Sequence, residues 1–228
     1  MEPTAVEDFF SLLQQAEPDP ASDLHYTTPF ELLVAVVLSA QSTDVGVNRA
    51  TPALFARANT AKAMVQLGEE GIRDHIRTLG LYNAKARHIH ALSQQLLDQF
   101  GGRVPETRAE LQSLPGVGRK SANVVLNVAF GQPTLAVDTH IFRVANRTGL
   151  APGKTPDQVE QRLLQIVPER FLLHAHHWLL RHGRYRCRAR QPLCHQQPCL
   201  VQHCCHYYHE IHNVSFMVGG GGGLPPSV

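Results

Sequence analysis

The sequence predicts an all-α protein, and three observations carry this prediction. Apolar residues recur at helical spacing along most of the chain, whereas alternating, strand-like segments are scarce. Typical helix-starting residues, such as Thr28 followed by Pro29, precede the helical segments. Glycine and proline separate the segments by short connections. A chain of 228 residues with 43% hydrophobic content can bury the core of one or two such domains.

The apolar spacing places the individual helices. Phe9, Phe10, Leu12 and Leu13 mark a short amphipathic helix near the start. The segment from Phe30 to Leu38 is apolar on nearly every side, which predicts a central, buried helix. Further helices are predicted at 44–57, 60–66, 69–77, 83–99, 106–112, 119–130, 139–148, 156–166 and 169–182.

Charge and hydropathy exclude some classes of protein. No apolar run reaches the roughly 18 residues that a membrane span requires. The first basic residue, Arg49, follows several acidic ones, unlike a targeting peptide, which predicts a cytosolic protein. The net charge of +2 permits nucleic-acid binding without requiring it, so backbone N–H groups would have to supply much of any contact with phosphate.

The most informative stretch runs from Leu111 to Gly131, with the sequence L-Q-S-L-P-G-V-G-R-K-S-A-N-V-V-L-N-V-A-F-G. It predicts a short helix, a tight turn at 115–118 and a second helix from Arg119. N–H groups of such a turn and of the following helix start point outward together, which is an arrangement that binds phosphate. The alternative is an ordinary corner between two helices.

Lys120 lies in the first turn of that second helix. The positive end of the helix dipole disfavours a cation there, and partial burial would disfavour it further. Both effects favour the neutral amine, the form that a nucleophile requires. A lysine that makes only an ion pair with phosphate is the alternative.

Asp138 precedes the helix predicted at 139–148. Aspartate is among the best N-capping residues, so capping alone would explain it. A cap can also be catalytic, because N–H donors keep the carboxylate ionised and able to face positive charge that develops on a sugar.

Together these motifs resemble the endonuclease III family of the helix–hairpin–helix DNA glycosylase superfamily. The resemblance covers roughly residues 5 to 210, and it includes L-S-A-Q-S-T-D-V at 38–45 and G-L-Y-N-A-K-A at 80–86. It implies a six-helix barrel domain at 24–131, with the hairpin at about 106–130. It also implies an iron–sulfur cluster domain formed by 1–23 and 132–211. The glycine run near the end predicts a disordered tail at 212–228.

The resemblance implies a base-excision-repair DNA glycosylase with AP lyase activity that removes oxidised pyrimidines. Lys120 would attack C1′ of an extruded nucleotide, and the resulting Schiff base would permit strand cleavage by β-elimination. Asp138 would stabilise positive charge on the sugar or help to deprotonate Lys120. The expected partner is double-stranded DNA with a damaged or abasic nucleotide. We expect a monomer without membrane contact, located in the cytoplasm and associated with the nucleoid.

The family's DNA contacts are carried over by position. Gln41 and Leu81 match the residues that fill the gap left by the extruded base and part the opposite strand, although Gln41 could instead cap a helix and Leu81 could be a core residue. Asp44 and His140 are similar to pocket-lining residues, or else only organise helix ends. Further expected contacts are Gly116, Val117 and Gly118 of the hairpin and, unless it is merely solvated, Arg190.

All five cysteines fall between Cys187 and Cys205, which favours a metal site over disulfides in a reducing compartment. The family pattern is C-x6-C-x2-C-x5-C for a [4Fe-4S] cluster, and this chain departs from it in the second gap. We assign Cys187, Cys194, Cys199 and Cys205, with Cys204 as the rival fourth ligand. A zinc site that uses His195, His203 or His206, or a lost cluster, remains open.

Two other functions stay open from the sequence. A monofunctional adenine glycosylase of the same superfamily normally carries a glutamate where this chain has Val37. A non-catalytic helix–hairpin–helix module would use the hairpin for phosphate contact alone.

Overall fold

A computed structural model of the chain describes residues 1–195, 201 and 204–212. Throughout this part the regular structure is helical and no β-strand occurs, which confirms the all-α prediction. The α-helices are α1 (Pro3–Ala16), α2 (Pro29–Ser39), α3 (Asp44–Arg57), α4 (Ala61–His75), α5 (Tyr82–Phe100), α6 (Arg108–Ser113), α7 (Arg119–Phe130), α8 (Thr139–Thr148), α9 (Pro156–Ile166), α10 (Glu169–Arg181) and α11 (His206–His212).

Helices α3, α7, α8 and α9 have the predicted bounds. Two helices were expected around Gly68, and α4 runs through this position with a kink, because Gly68 has a φ of 74° and a ψ of 164°. Helix α10 ends one residue early and is followed by a π-helical turn, His182–Arg186. The predicted disordered tail lies, beyond His212, outside the described residues.

Threonine begins the helices repeatedly. The side chains of five threonines each accept a hydrogen bond from the backbone N–H three residues later. Each such cap stabilises its helix by about 1 kcal/mol. The capping threonines are Thr28, Thr43, Thr60, Thr107 and Thr155.

Helix α2 lies at the centre of a first hydrophobic core. Its residues from Phe30 to Leu38 are all buried, which confirms the predicted central helix. Helices α3, α5 and α7 pack against it, and α4 closes the core against α5. In the described part of the chain, no helix is both long enough and apolar enough to cross a lipid bilayer.

A second hydrophobic core joins the two ends of the chain. It contains α1, α8, α9 and α10, together with three of the cysteines. Its centre is aromatic, with Phe10 stacked on Phe171 at 5.7 Å between ring centroids and Trp178 edge-on to Phe171. The indole N–H of Trp178 donates to the carbonyl of Glu17 at 2.8 Å, which ties α10 to the end of α1.

A short extended segment passes between the two cores. Side chains of an extended chain alternate in direction. Accordingly, Leu135 and Val137 belong to the second core, whereas Ala136 belongs to the first. The next residue, Asp138, therefore emerges at the junction of the two cores.

Candidate functional site

The predicted hairpin is present between α6 and α7. Gly116 has a φ of 80°, and a Cβ on it would stand 3.0 Å from the ring of His88, so only glycine fits there. Gly118 has an ordinary φ of −88°, and a Cβ on it would meet nothing within 4 Å. The first glycine is thus required by the turn, whereas the second leaves open space above the backbone.

Backbone donors of the hairpin face outward. The N–H of Val117 donates to the carbonyl of Leu114 at 3.1 Å and closes the turn. The N–H groups of Gly116 and Gly118 find no acceptor within the described chain, and both glycines are exposed. Free N–H groups beside a helix start are available to an anion.

One buried carboxylate fixes the hairpin to the second core. Glu160 of α9 accepts hydrogen bonds from Nε and Nη2 of Arg119 at 2.9 and 3.0 Å. It also accepts one from Arg108 at the start of α6, at 3.4 Å. The hydrogen bond that Arg119 donates to Glu160 raises the pKa of Arg119, and the charge of the carboxylate adds to this effect. Both helices of the hairpin are therefore held by the same side chain.

Lys120 follows Arg119 directly and is exposed. Partial burial, which would have further disfavoured the ammonium form of Lys120, is therefore absent. Its amine makes no hydrogen bond or ion pair with any residue in the described part of the protein. It lines a narrow cavity at the junction of the two cores, so the amine is available to a ligand there.

Asp138 caps α8 through one oxygen. Its Oδ1 accepts the N–H groups of His140 and Ile141, each at 2.9 Å. Its Oδ2 accepts no hydrogen bond from the residues that the structure describes. The carboxylate thus serves as a cap, as the simpler interpretation predicted, and still leaves one oxygen for another partner.

The segment that carries Asp138 is tied to the helix that carries Lys120. Asn127 of α7 donates from its Nδ2 to the carbonyls of Gln132, Thr134 and, on α10, Leu173, at 2.9 to 3.2 Å. Asn123 donates to the carbonyl of Leu135 at 3.1 Å. These contacts set the position of the carboxylate relative to α7.

Lys120 and Asp138 line the same cavity, which has a volume of about 60 Å³. No ion pair within 4.0 Å joins these two side chains. Their shared cavity also receives Asp44, Arg184 and two histidines of α10. The structure thus brings together the two residues that the sequence analysis singled out as catalytic.

The two histidines, His176 and His177, are buried. Burial lowers the pKa of His176 well below its usual value, and the neighbouring charges of His177 and Lys120 lower it further. Burial likewise lowers the pKa of His177 to about 4. The Nδ1 atom of each ring has no hydrogen-bond partner among the described residues.

Gln41 and Leu81 have backbones of a rare kind. They are the non-glycine residues with positive φ in the described chain, at 53° and 59°. A non-glycine residue in this region costs of order 1–3 kcal/mol. Leu81 is 58% exposed, which excludes a core role, and Gln41 is exposed without a capping hydrogen bond. Both side chains project into solvent from neighbouring loops.

A wider pocket of about 640 Å³ adjoins the narrow cavity and shares Asp23, Asp44 and Arg184 with it. Nη1 of Arg184, in the π-helical turn, lies 2.8 Å from Oδ2 of Asp44 and 2.7 Å from Oδ2 of Asp23. His140 also lines this pocket, where its Nδ1 lies 3.3 Å from Nη2 of Arg143.

The loop that begins at Cys187 is held by α8. Arg143 donates to the carbonyls of Gly183 and Cys187 at 2.7 and 2.9 Å. Arg147 donates to the carbonyls of Arg188 and Ala189, both at 2.7 Å, and Nη1 of Arg147 lies 3.8 Å from the sulfur of Cys187. Arg190, one residue further on, is exposed.

Cys187, Cys194, Cys204 and Cys205 are buried and form no disulfide, whereas Cys199 lies outside the described residues. Burial raises the pKa of Cys205 to about 11, with contributions from the nearby thiols of Cys187 and Cys194. Burial also raises the pKa of Cys204 to about 11, but its charged neighbour is Asp8. The two adjacent cysteines therefore face different surroundings. Among the described residues, no group of three or more potential ligands is arranged as a metal site.

Several residues of this region were not predicted from the sequence. Arg184 and His176 reach the cavity only through the packing of α10 and its π-helical turn against α3 and α7. Lys85 lies within the G-L-Y-N-A-K-A motif and is the one buried lysine of the four in the chain. Its spacing from Leu81 gave no signal of this burial, because Leu81 is exposed and precedes α5 in the left-handed conformation.

Comparison with known proteins identifies the family. The model of the HhH-GPD superfamily base excision DNA repair proteins matches residues 34–169. Endonuclease III of Escherichia coli strain K12 is 53% identical over 204 residues, which cover 90% of this chain and 96% of the relative. The chain belongs to the endonuclease III family.

Another member of the family, endonuclease III of Haemophilus influenzae, is 50% identical over 90% of this chain and 96% of its own length. Among solved structures, an endonuclease III trapped as a covalent intermediate with DNA, in an estranged-adenine complex, superposes with a TM-score of 0.85. It is 39% identical and covers 93% of this chain and 99% of its own. The chain has the helix–hairpin–helix glycosylase fold, binds DNA, and is a base-excision glycosylase with AP lyase activity. The endonuclease III family carries an iron–sulfur cluster.

Proposed function

We propose that Lys120 is the nucleophile of this enzyme and that Asp138 is its partner. The observation that carries the proposal is the shared cavity, which receives an amine without a protein partner and a carboxylate with one unused oxygen. The capped Oδ1 fixes the orientation of Asp138, so Oδ2 can face the sugar that the amine attacks.

The reaction begins with a nucleophilic substitution at C1′. The neutral amine of Lys120 forms a bond to C1′ as the bond to the damaged base breaks, and the base leaves with a proton. The nitrogen then forms a double bond to C1′ as the C1′–O4′ bond breaks and O4′ takes up a proton, which leaves a protonated Schiff base. Removal of a proton from C2′ expels the 3′ phosphate, and water releases the enzyme. Asp138 accepts a proton from Lys120 or stabilises positive charge on the sugar.

The DNA-binding face combines the hairpin with the two exposed loops. The free N–H groups of Gly116 and Gly118 support a phosphate contact at 116–118, where Val117 closes the turn. The exposure of Gln41 and Leu81 supports their insertion into the duplex, which offsets the unstacking of an extruded base. Asp44 and His140 line the pocket that would receive the base, and the exposed Arg190 extends the face onto the cysteine loop.

The enzyme removes oxidised pyrimidines from double-stranded DNA. The narrow and wide pockets together offer the space for an extruded nucleotide beside Lys120. We assign residues 24–131 to the barrel domain and residues 1–23 with 132–211 to the cluster domain, in keeping with the two hydrophobic cores. The protein works as a monomer in the cytoplasm, at the nucleoid where its substrate lies.

Cys187, Cys194, Cys199 and Cys205 would hold a [4Fe-4S] cluster. The described thiols are buried and form no disulfide, and Nη1 of Arg147 approaches the sulfur of Cys187, which suits a thiolate ligand. Cys187 and Cys194 both contribute to the raised pKa of Cys205 but not to that of Cys204, which supports Cys205 as the fourth ligand. Cys199 completes the set. A cluster held by these cysteines would stabilise the C-terminal loop, which Arg143 and Arg147 already hold against α8.

Borohydride trapping on DNA with an abasic site tests the nucleophile. The wild-type enzyme and the matched control Lys62→Ala, which changes an exposed lysine of α4, should form a covalent adduct. Lys120→Ala should form none, because no other lysine lines the cavity. Undiminished trapping by Lys120→Ala would transfer the role to another amine, and an absence of trapping by the wild type would favour the non-catalytic DNA-binding module.

A further inference from the structure

Lys85 of α5 lies beneath the two exposed loops and is 4% exposed. Its Nζ donates to Oγ of Ser42 at 2.6 Å, across the gap between α5 and the connection from α2 to α3. No carboxylate within 4.0 Å pairs with it, and Ser42 is its one hydrogen-bond partner within the described part of the chain. An ammonium group is costly to bury with so few acceptors, and burial lowers the pKa of Lys85.

The same residue contacts both loops. Its side chain holds Ser42, which directly follows Gln41. Its backbone N–H donates to the carbonyl of Leu81 at 3.0 Å and so makes the first hydrogen bond of α5. The two loops also lie close together. A Cβ added to Gly80 would stand 3.7 Å from the carbonyl oxygen of Gln41.

These loops carry Gln41 and Leu81, whose positive φ angles need support from their surroundings. A loop that is pushed into a stacked duplex bears the cost of unstacking. Contacts that hold these two loops in place should therefore matter most when a base is extruded. They should matter least on DNA in which no base has to leave the stack.

We propose that Lys85 is a positioning residue for base extrusion, which locks the Gln41 loop to the Leu81 loop through its hydrogen bond to Ser42. The inference rests on the proposed insertion of Gln41 and Leu81 into DNA. It assigns Lys85 no contact with the reacting atoms. An apolar side chain of similar length would fill the same space but would leave the two loops free to move apart.

The experiment compares two duplexes, one with a thymine glycol and one with a preformed abasic site, under single-turnover conditions. Lys85→Met should slow removal of thymine glycol by about tenfold. It should slow strand cleavage at the abasic site by less than about twofold, because no base is extruded there. Ser42→Ala should reproduce this pattern, and the double variant should add no further loss. Lys62→Met, on the exposed face of α4, should behave as the wild type.

Fluorescence of 2-aminopurine opposite the lesion supplies a readout that a purely structural role would not change. The increase on binding should be smaller for Lys85→Met and for Ser42→Ala than for the wild type. Equal slowing on both duplexes together with a lower melting temperature would overturn the proposal in favour of structural support. Wild-type excision by both variants would also overturn it. If Lys85→Met does not fold, Ser42→Ala decides between these outcomes.

Borohydride trapping on abasic DNA separates a failure here from a failure of the proposed function. Lys85→Met should still form the adduct that Lys120→Ala loses. Retained trapping with unchanged excision of thymine glycol would refute the role of Lys85 alone, whereas trapping by Lys120→Ala would refute the assigned nucleophile.

Discussion

The hairpin and the cysteine segment are held in place by different kinds of interaction. The hairpin depends on its backbone, since a glycine with positive φ and one closing hydrogen bond define the turn. The loop that starts at Cys187 depends on distant side chains, because Arg143 and Arg147 of α8 hold its carbonyls from more than 40 positions away in the chain. A local motif can therefore be recognised in a sequence, whereas hydrogen bonds between residues far apart in the chain cannot.

The two halves also differ in what they bury. Helix α10 and the π-helical turn after it carry the three buried histidines of the described chain, His176, His177 and His182, and three buried cysteines belong to the second core. The first core buries a lysine and few other ionisable groups. The half with the cysteines should consequently respond to acid and to loss of metal, whereas the hairpin half should respond to changes in its backbone.

The largest effect is expected for the cysteines. Cys205→Ser should abolish the yellow-brown colour of the purified protein and lower its melting temperature strongly, because a structural metal site contributes directly to folding free energy. Cys204→Ser is the matched control and should keep the colour, since Cys205 is the proposed fourth ligand. Visible absorbance and iron content provide the measurement, and the reverse pattern would make Cys204 the ligand.

Acid should destabilise the second core. The pKa values of His177 and His182 are lowered to about 4 in the folded protein, so the unfolded chain binds protons first as the pH falls below about 6.5. Stability is complete above this pH and is lost towards pH 4, at about 1.4 kcal/mol per pH unit for each proton. Hydrogen exchange should show earlier loss of protection in α8 and α10 than in α2 and α7.

A variant isolates this effect. His182→Gln should lower by one the number of protons taken up on unfolding near pH 5, whereas His25→Gln, at an exposed position, should leave it unchanged. Equal proton uptake by His182→Gln and the wild type would show that His182 titrates normally in the folded state.

The next effect concerns Asp138. Asp138→Asn keeps an oxygen that can accept the N–H groups of His140 and Ile141, so the cap of α8 persists while the charge is lost. Turnover should fall by about 100-fold, the usual cost of removing one electrostatic contact to a transition state. The Kd for lesion DNA should change little. Equal losses in turnover and in DNA affinity would show that Asp138 only caps α8.

The smallest effects test the hairpin. Gly116→Ala should lower the unfolding free energy by roughly 1–2 kcal/mol, because its φ is positive and the ring of His88 must move. Gly118→Ala has room and an ordinary φ, so stability should be unchanged while DNA affinity falls through the added methyl group. Denaturant unfolding and titration with duplex DNA separate the two variants. A loss of stability in Gly118→Ala would contradict the assignment of open space to that position.

The sequence predicted most of the fold because its signals are local. Threonine caps, apolar periodicity and the glycine turn each act within a few residues, so α3, α7, α8 and α9 were placed with their observed bounds. Gly68 was predicted as a break between two helices, and its non-helical φ and ψ do interrupt the regular helical backbone of α4 at this residue.

The candidate site was predicted only in part. Lys120 and Asp138 carry recognisable motifs, but their common cavity depends on the hydrogen bonds of Asn127 and Asn123, which join α7 to the segment before α8. The exposure of Lys120, the pairing of Arg184 with Asp44 and the burial of Lys85 arise from packing between distant elements. No local pattern encodes such contacts.

Helix α8 connects the two regions mechanically. Asp138 caps its first turn, and Arg147 in its last turn donates to a carbonyl of the cysteine loop. The ten residues of the helix span about 15 Å between these two ends. The proposed catalytic carboxylate and the cysteine loop thus lie at opposite ends of one helix. If the proposed cluster is lost, a change in this loop would reach Asp138 through α8, and turnover should fall more than DNA affinity.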